Sequence, residues 1–94
     1  MNAVQFLLED LPLEDIGMVE VPNSSNIIEV GYYEEGNMLQ VRFVRGRWYR
    51  YFGVPKEVWE KLIAVLKSGE SVGKWININV APVYEYKKFA MEAK

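Results

Sequence analysis

Between Met38 and Phe52 the side chains change character with a period of two, and this stretch constrains the fold more than any other. Leu39, Val41 and Phe43 alternate with Gln40 and Arg42; beyond the compact turn at Arg45-Gly46, Tyr49 and Tyr51 alternate with Trp48, Arg50 and Phe52. Successive side chains of a strand leave on opposite faces, so each run sends one set to a common side. Two such runs joined by a Gly-containing turn read as an antiparallel hairpin. Upstream, Ile27–Tyr33 is rich in strand formers and is separated from Met38 by the turn residues Glu34-Glu35-Gly36-Asn37. The three strands predict a meander with one apolar face, shared by Leu39, Val41, Phe43, Tyr49 and Tyr51.

After Gly53-Val54-Pro55 the period changes. Val58, Leu62, Val65 and Leu66 form a stripe with helical spacing, flanked by Trp59 and Ile63. Pro55 suits the first helical position, where a missing N–H costs nothing, and Glu57 and Glu60 favour the positive end of the macrodipole. Lys67-Ser68-Gly69 closes the stripe, with Gly69 as a left-handed cap. The pattern predicts a helix over 55–67. Trp75–Val80 then alternates apolar and polar residues, which reads as a further strand until Pro82; residues 84–89 read as another extended segment, and Met18–Val21 as a short one. Near the N-terminus Val4, Leu7, Leu8 and Leu11 follow helical spacing, with Asn2 as a cap and Pro12 as a stop. The expected organisation is an N-terminal extension over 1–17, a domain over 18–89 and a loose tail over 90–94. The expected class is α+β: an antiparallel sheet of three to five strands, one amphipathic helix on its apolar face, and a short helical extension that docks on the domain.

Composition narrows the chemistry. The 94 residues suffice for one domain. With neither Cys nor His, the chain has no thiolate ligand, no disulfide and no Ser-His-Asp arrangement. No catalytic residue, cofactor or metal is therefore expected. The apolar runs fall far short of the roughly 20 residues that cross a bilayer, and no basic start announces a secretory signal, so a cytoplasmic protein without membrane contact is expected. Charge is distributed unevenly: residues 1–35 hold eight acids and no base, a net −8, while residues 36–94 hold 11 bases and five acids, a net +6, together the −2 of the whole chain.

The ordered set of motifs resembles the KTSC domain family. The resemblance rests on Ser24-Ser25-Asn26-Ile27, Val30-Gly31-Tyr32, Leu39, Val41 and Phe43 at alternate positions, Gly46, the run from Tyr49 to Pro55, then Ser68, Gly73, Lys74, Asn77, Val80, Tyr84 and Tyr86. Its specific part is Tyr49-x-Tyr51 followed by Gly53-Val54-Pro55 and a helix, and it covers about residues 18–89. Trp75 stands where the family often has Tyr or Phe. The family is named for the C-terminus of some lysyl-tRNA synthetases and also occurs as small stand-alone bacterial and phage proteins. The resemblance implies this fold, with Tyr49, Tyr51, Gly53 and Pro55 as its structural signature. It implies no catalytic activity, and it points to RNA.

Two surfaces compete for function. The face opposite the tyrosines should carry Gln40, Arg42, Trp48 and Arg50, with Arg45 and Arg47 at the hairpin tip. Guanidinium groups interleaved with an indole form a platform for single-stranded or structured RNA, because arginine meets phosphate bidentately while the ring stacks on a base. Two blander readings accompany it: a solvated face with Glu29 paired to Arg42 or Arg50, or a face covered by the acidic N-terminal segment. Gly69-Glu70-Ser71-Val72-Gly73-Lys74 is one residue short of a phosphate loop, lacks Ser or Thr after Lys74 and follows a helix; Lys74 is retained only as a contact to a phosphate backbone. The alternative function is protein interaction or homodimerisation through Val4, Leu7, Leu8 and Leu11.

Overall fold

The computed structural model describes residues 16–22 and 24–89. Strands β1 (Met18–Glu20), β2 (Ile27–Tyr33), β3 (Met38–Phe43), β4 (Arg47–Phe52) and β5 (Tyr86–Phe89) form one sheet in chain order, each antiparallel to its neighbours. Helices α1 (Lys56–Ser68) and α2 (Val72–Asn79) are inserted between β4 and β5.

The local chemistry explains most of these elements. The β3–β4 hairpin closes through Val44–Gly46, where Arg45 (φ 69°) and Gly46 (φ 71°) both take left-handed backbone. The β2–β3 turn ends on Asn37 (φ 52°), a residue type that tolerates this region. Pro55 sits one residue before α1 rather than inside it, and its carbonyl accepts from the N–H of Val58 at 3.0 Å. Gly69 (φ 84°) is the left-handed cap, its N–H donating to the Leu66 carbonyl at 3.3 Å.

The segment from Trp75 to Val80 is helical, not a strand. Ile76 and Val80 are buried while Ile78, between them, is exposed. The relevant spacing is Val72, Ile76, Val80, one residue per helical turn. Ser71 starts the helix by accepting a hydrogen bond from the Lys74 N–H at 3.2 Å. Apolar residues at 76, 78 and 80 imitate strand alternation because Ile78 is an outward-facing member of a short helix.

The main core lies between the sheet and both helices. Val30, Leu39 and Val41 meet Leu62 of α1 and Val72, Ile76 and Val80 of the α2 region, all essentially without exposure. Burying each such side chain contributes about 1.5–3 kcal/mol. Tyr32 ties this layer together: its ring stacks on Trp59 (centroids 5.6 Å, 11° between planes), and its hydroxyl donates to the Val54 carbonyl at 2.6 Å. Burial, and then the nearby charges of Glu34 and Glu57, raise its pKa above the ordinary value.

A second, smaller core corrects the expectation of a single apolar face. Ile16, Met38 and Phe52 cluster on the other side of the sheet, with Met18 and Tyr33 against them. Gly31 is what allows the chain to approach there. A Cβ on Gly31 would run into the Gly17 carbonyl and lie 2.5 Å from the Met18 sulfur.

Candidate nucleic-acid interface

The pairing register aligns residues in rows across the sheet. On the second face, Met18, Gly31, Gln40, Arg50 and Lys87 are successive cross-strand partners. Gln40 and Arg50 are each 0 % exposed. The Gln40 amide donates to the Met18 sulfur at 3.5 Å, and its carbonyl oxygen accepts from Arg50 Nε at 2.7 Å. Burial lowers the Arg50 pKa, yet a guanidinium so far above neutrality keeps its charge. A neighbouring row places Glu29 beside Arg42 and Arg42 beside Trp48. Arg42 meets the Glu29 carboxylate at 3.2 Å, and its guanidinium lies 5.2 Å from the centre of the Trp48 ring. Trp48 is only 8 % exposed.

This arrangement overturns the expected RNA platform of Arg42, Trp48 and Arg50. A stacking residue must offer an open ring, and a phosphate-binding arginine must offer its N–H fork. Trp48 and Arg50 are buried, and Arg42 is held between Glu29 and the indole. The blander expectation, Glu29 paired with Arg42, is what the structure shows. The error came from treating polar alternation as a sign of solvent: Gln40 and Arg50 bond to each other and point away from the helices without pointing into water.

The remaining expected residues lie elsewhere. Arg45 is exposed on the hairpin turn. Arg47 pairs with Phe43 on the helix side of the sheet, its guanidinium 5.5 Å from the Phe43 ring centre. Lys74 is exposed on α2, one turn before Asn77. The helical reading of Val4, Leu7, Leu8 and Leu11, like the tail over 90–94, lies outside the described residues.

Sequence reasoning missed a groove on the helix side. Tyr49 and Tyr51 point inward as alternation requires, but only Tyr51 is buried; Tyr49 is half-buried. The register of β5 sets Tyr86 opposite Tyr51 and Lys88 opposite Tyr49. Three phenol rings thus form a continuous aromatic surface: Tyr49 to Tyr51 at 6.1 Å, Tyr49 to Tyr86 at 5.3 Å and Tyr51 to Tyr86 at 5.8 Å between centroids. Phe43 meets Tyr49 edge-on at 5.1 Å. These rings border an open groove of about 360 Å³, closed on its other sides by Arg47, Asn26, Asn77 and Ala81. None of the residues lining it is acidic. Burial, followed by the proximity of Tyr49 and Tyr86, pushes the Tyr51 pKa up to about 12, so the hydroxyl is a neutral donor at physiological pH.

Gly53 explains how the signature run builds this surface. Its φ of +75° turns the chain sharply as it leaves β4. The Val54 N–H then bonds to the Asn37 carbonyl at 2.8 Å, and Pro55 begins the approach to α1. The tyrosines are therefore held between the strand ladder and a fixed exit. The KTSC domain profile matches residues 23–86, a span that contains both the tyrosine pair and this exit.

The chain belongs to the KTSC domain family.

A protein from Tsukamurella paurometabola is 39 % identical over 59 residues, 63 % of this chain and 82 % of the relative. The crystal structure of a KTSC domain protein from Yersinia pestis superposes with a TM-score of 0.69, covering 79 % of this chain and 97 % of the other at 23 % identity. The likeness to the latter is one of fold. Among the described residues no group of three or more acidic, His or Cys side chains could hold a metal ion, and no helix is long and apolar enough to cross a membrane.

Proposed function

We propose that this KTSC domain is a non-catalytic module that binds single-stranded RNA in the groove lined by Tyr49, Tyr51 and Tyr86. The observation that carries the reading is the convergence of three phenol rings on an open groove that contains an arginine and no carboxylate. Unpaired bases stack on aromatic side chains, and each base so held is worth about 1–3 kcal/mol. Tyr86, 56 % exposed at the mouth of the groove, presents the most open ring. Asn26 and Asn77 offer amides that can both donate to and accept from a base edge. Arg47 lines the groove and Lys88 stands opposite Tyr49 on β5, positive charges suited to a phosphate backbone. The family resemblance points to the same class of ligand.

The test is a titration of short fluorescent single-stranded RNA, read by anisotropy at low and moderate salt. Binding should weaken as salt rises, because phosphate contacts release counterions. Tyr86→Ala should lower affinity about tenfold or more, and Arg47→Glu should lower both affinity and the salt slope. An absence of binding at low salt, or affinities that ignore both substitutions, contradicts the proposal.

A further inference from the structure

The side chains of the tyrosine groove also decide which base it holds, an inference that rests on the RNA reading. The rings of Tyr49, Tyr51 and Tyr86 meet the face of a base. Every base has such a face, so stacking alone selects none. Whatever closes the groove meets the edge of the base, and the edge carries its identity. At about 360 Å³ the groove lies at the small end of the roughly 300–1,000 Å³ of small-ligand sites, room for one nucleotide unit and not for a stacked run.

Four asparagines lie among the described residues, and they divide into two pairs. Asn37 Oδ1 accepts from the Tyr32 hydroxyl at 3.2 Å, and Asn79 Nδ2 donates to the Trp75 carbonyl at 3.0 Å. The side chains of Asn26 and Asn77 bond to no other described residue; both are exposed, and both line the groove. Their backbones are nevertheless fixed. Ser24 Oγ accepts from the N–H groups of Asn26 at 3.1 Å and Ile27 at 2.9 Å, and the Asn26 carbonyl accepts from the Val44 N–H at 3.0 Å. Asn77 follows the fully buried Ile76 on α2. Two free amides are thus presented to one groove from rigid positions far apart in the chain, the arrangement that selective binding needs.

An amide offers an acceptor oxygen beside N–H donors, the complement of the adenine edge, where N6 donates and N7 accepts. The other bases fit less well. Cytosine N4 is a donor best met by a carboxylate, and no acidic residue lines the groove. Guanine O6 and N7 both accept and call for an arginine fork. Arg47 has its Nε directed to the Val44 carbonyl at 3.5 Å and its guanidinium over the Phe43 ring, which leaves it a charge for phosphate. Uracil has a smaller ring to stack and, on the corresponding edge, only the O4 acceptor. We propose that the groove selects adenine, with Tyr86 against its face and the amides of Asn26 and Asn77 on its edge.

The experiment titrates the full chain against short fluorescent oligouridylates that differ only in one central base, A, G, C or U, at a single salt concentration. The adenine oligonucleotide should bind about tenfold more tightly than the others. Asn26→Ala with Asn77→Ala should bring it down to their level and leave theirs in place. The ratio between bases is the readout, because partial unfolding or a general weakening lowers all four affinities alike. Equal affinities in the unsubstituted protein overturn the base selection and leave the RNA reading standing. A preference for another base overturns it too, guanine pointing to Arg47 as the reader. An adenine preference that survives the double substitution overturns the role of the amides. Binding to none of the four refutes the RNA reading and the base selection together.

Discussion

One face of the sheet leaves aromatic rings at the edge of solvent, while the other takes an arginine out of water. Both faces come from the same two strands, β3 and β4, and their residues simply alternate between them. The difference is in what polarity does on each side. On the helix side Tyr49 and Tyr86 combine large apolar surface with polar tips and border an open groove, a form suited to a ligand. On the other side Gln40 and Arg50 bond to one another, and the Met18 sulfur extends the row. Buried polar groups of this kind stabilise only when paired, and they fix register because a shifted strand would orphan them. Charge in a sequence is thus a poor guide to the binding face: the groove holds one arginine, and the face that reads as basic is a structural interior.

The largest expected effect belongs to the interior face. Arg50→Ala leaves a cavity and removes the Nε–H that donates to the Gln40 carbonyl, and should cost about 3–5 kcal/mol in urea unfolding. A cost near zero would mean that the guanidinium is not integrated there. Gly31→Ala is next: its Cβ would push against the Gly17 backbone, which cannot rotate aside as a side chain could. Overpacking of this kind costs about 1–3 kcal/mol, and the loss should appear in the same unfolding curves. On the groove face, by contrast, Tyr86→Ala should weaken RNA binding while leaving the unfolding midpoint within a small margin of the parent.

Alkaline titration sharpens the contrast further. Tyr51 has a folded pKa raised from 10.0 to about 12, so the folded state holds this proton more tightly than the unfolded state. Its contribution is fully present below pH 10 and is lost as pH rises toward 12. Stability should fall over that window, and Tyr51→Phe should flatten the fall; an unchanged slope would show that Tyr51 is not the group responsible. The smallest effect is expected at Glu29→Gln. The ion pair with Arg42 is partly solvated on both sides, so its loss should cost about 0–1 kcal/mol and shrink further in high salt.

Much of the fold can be read from local sequence. The alternation from Leu39 to Phe52, the stripe of Val58, Leu62 and Val65, the turn at Gly46 and the cap at Gly69 each have a short-range cause that tertiary structure leaves intact. The α2 segment could not be read by the same rule, since Ile76, Ile78 and Val80 satisfy the strand pattern better than the helical one over so short a span. The groove was hidden for a different reason. Tyr86 meets Tyr49 and Tyr51 only through the long-range pairing of β4 with β5, and Asn26 and Asn77 come from elements far apart in the chain. The signal that could have found it was Lys88 and Tyr86 at alternate positions, which match the spacing of Tyr49 and Tyr51. Arg50 misled because alternation sorts residues by face and says nothing about what lies above each face.

The central claim is that ligand binds on the helix side of the sheet and the opposite side is interior. The most direct measurement is a ¹H–¹⁵N titration of the full chain with short single-stranded RNA. Shifts concentrated at Arg47, Tyr49, Tyr51, Asn77 and Tyr86, with Gln40, Trp48 and Arg50 unmoved, are the predicted result. Shifts centred on Gln40, Trp48 and Arg50 would contradict it.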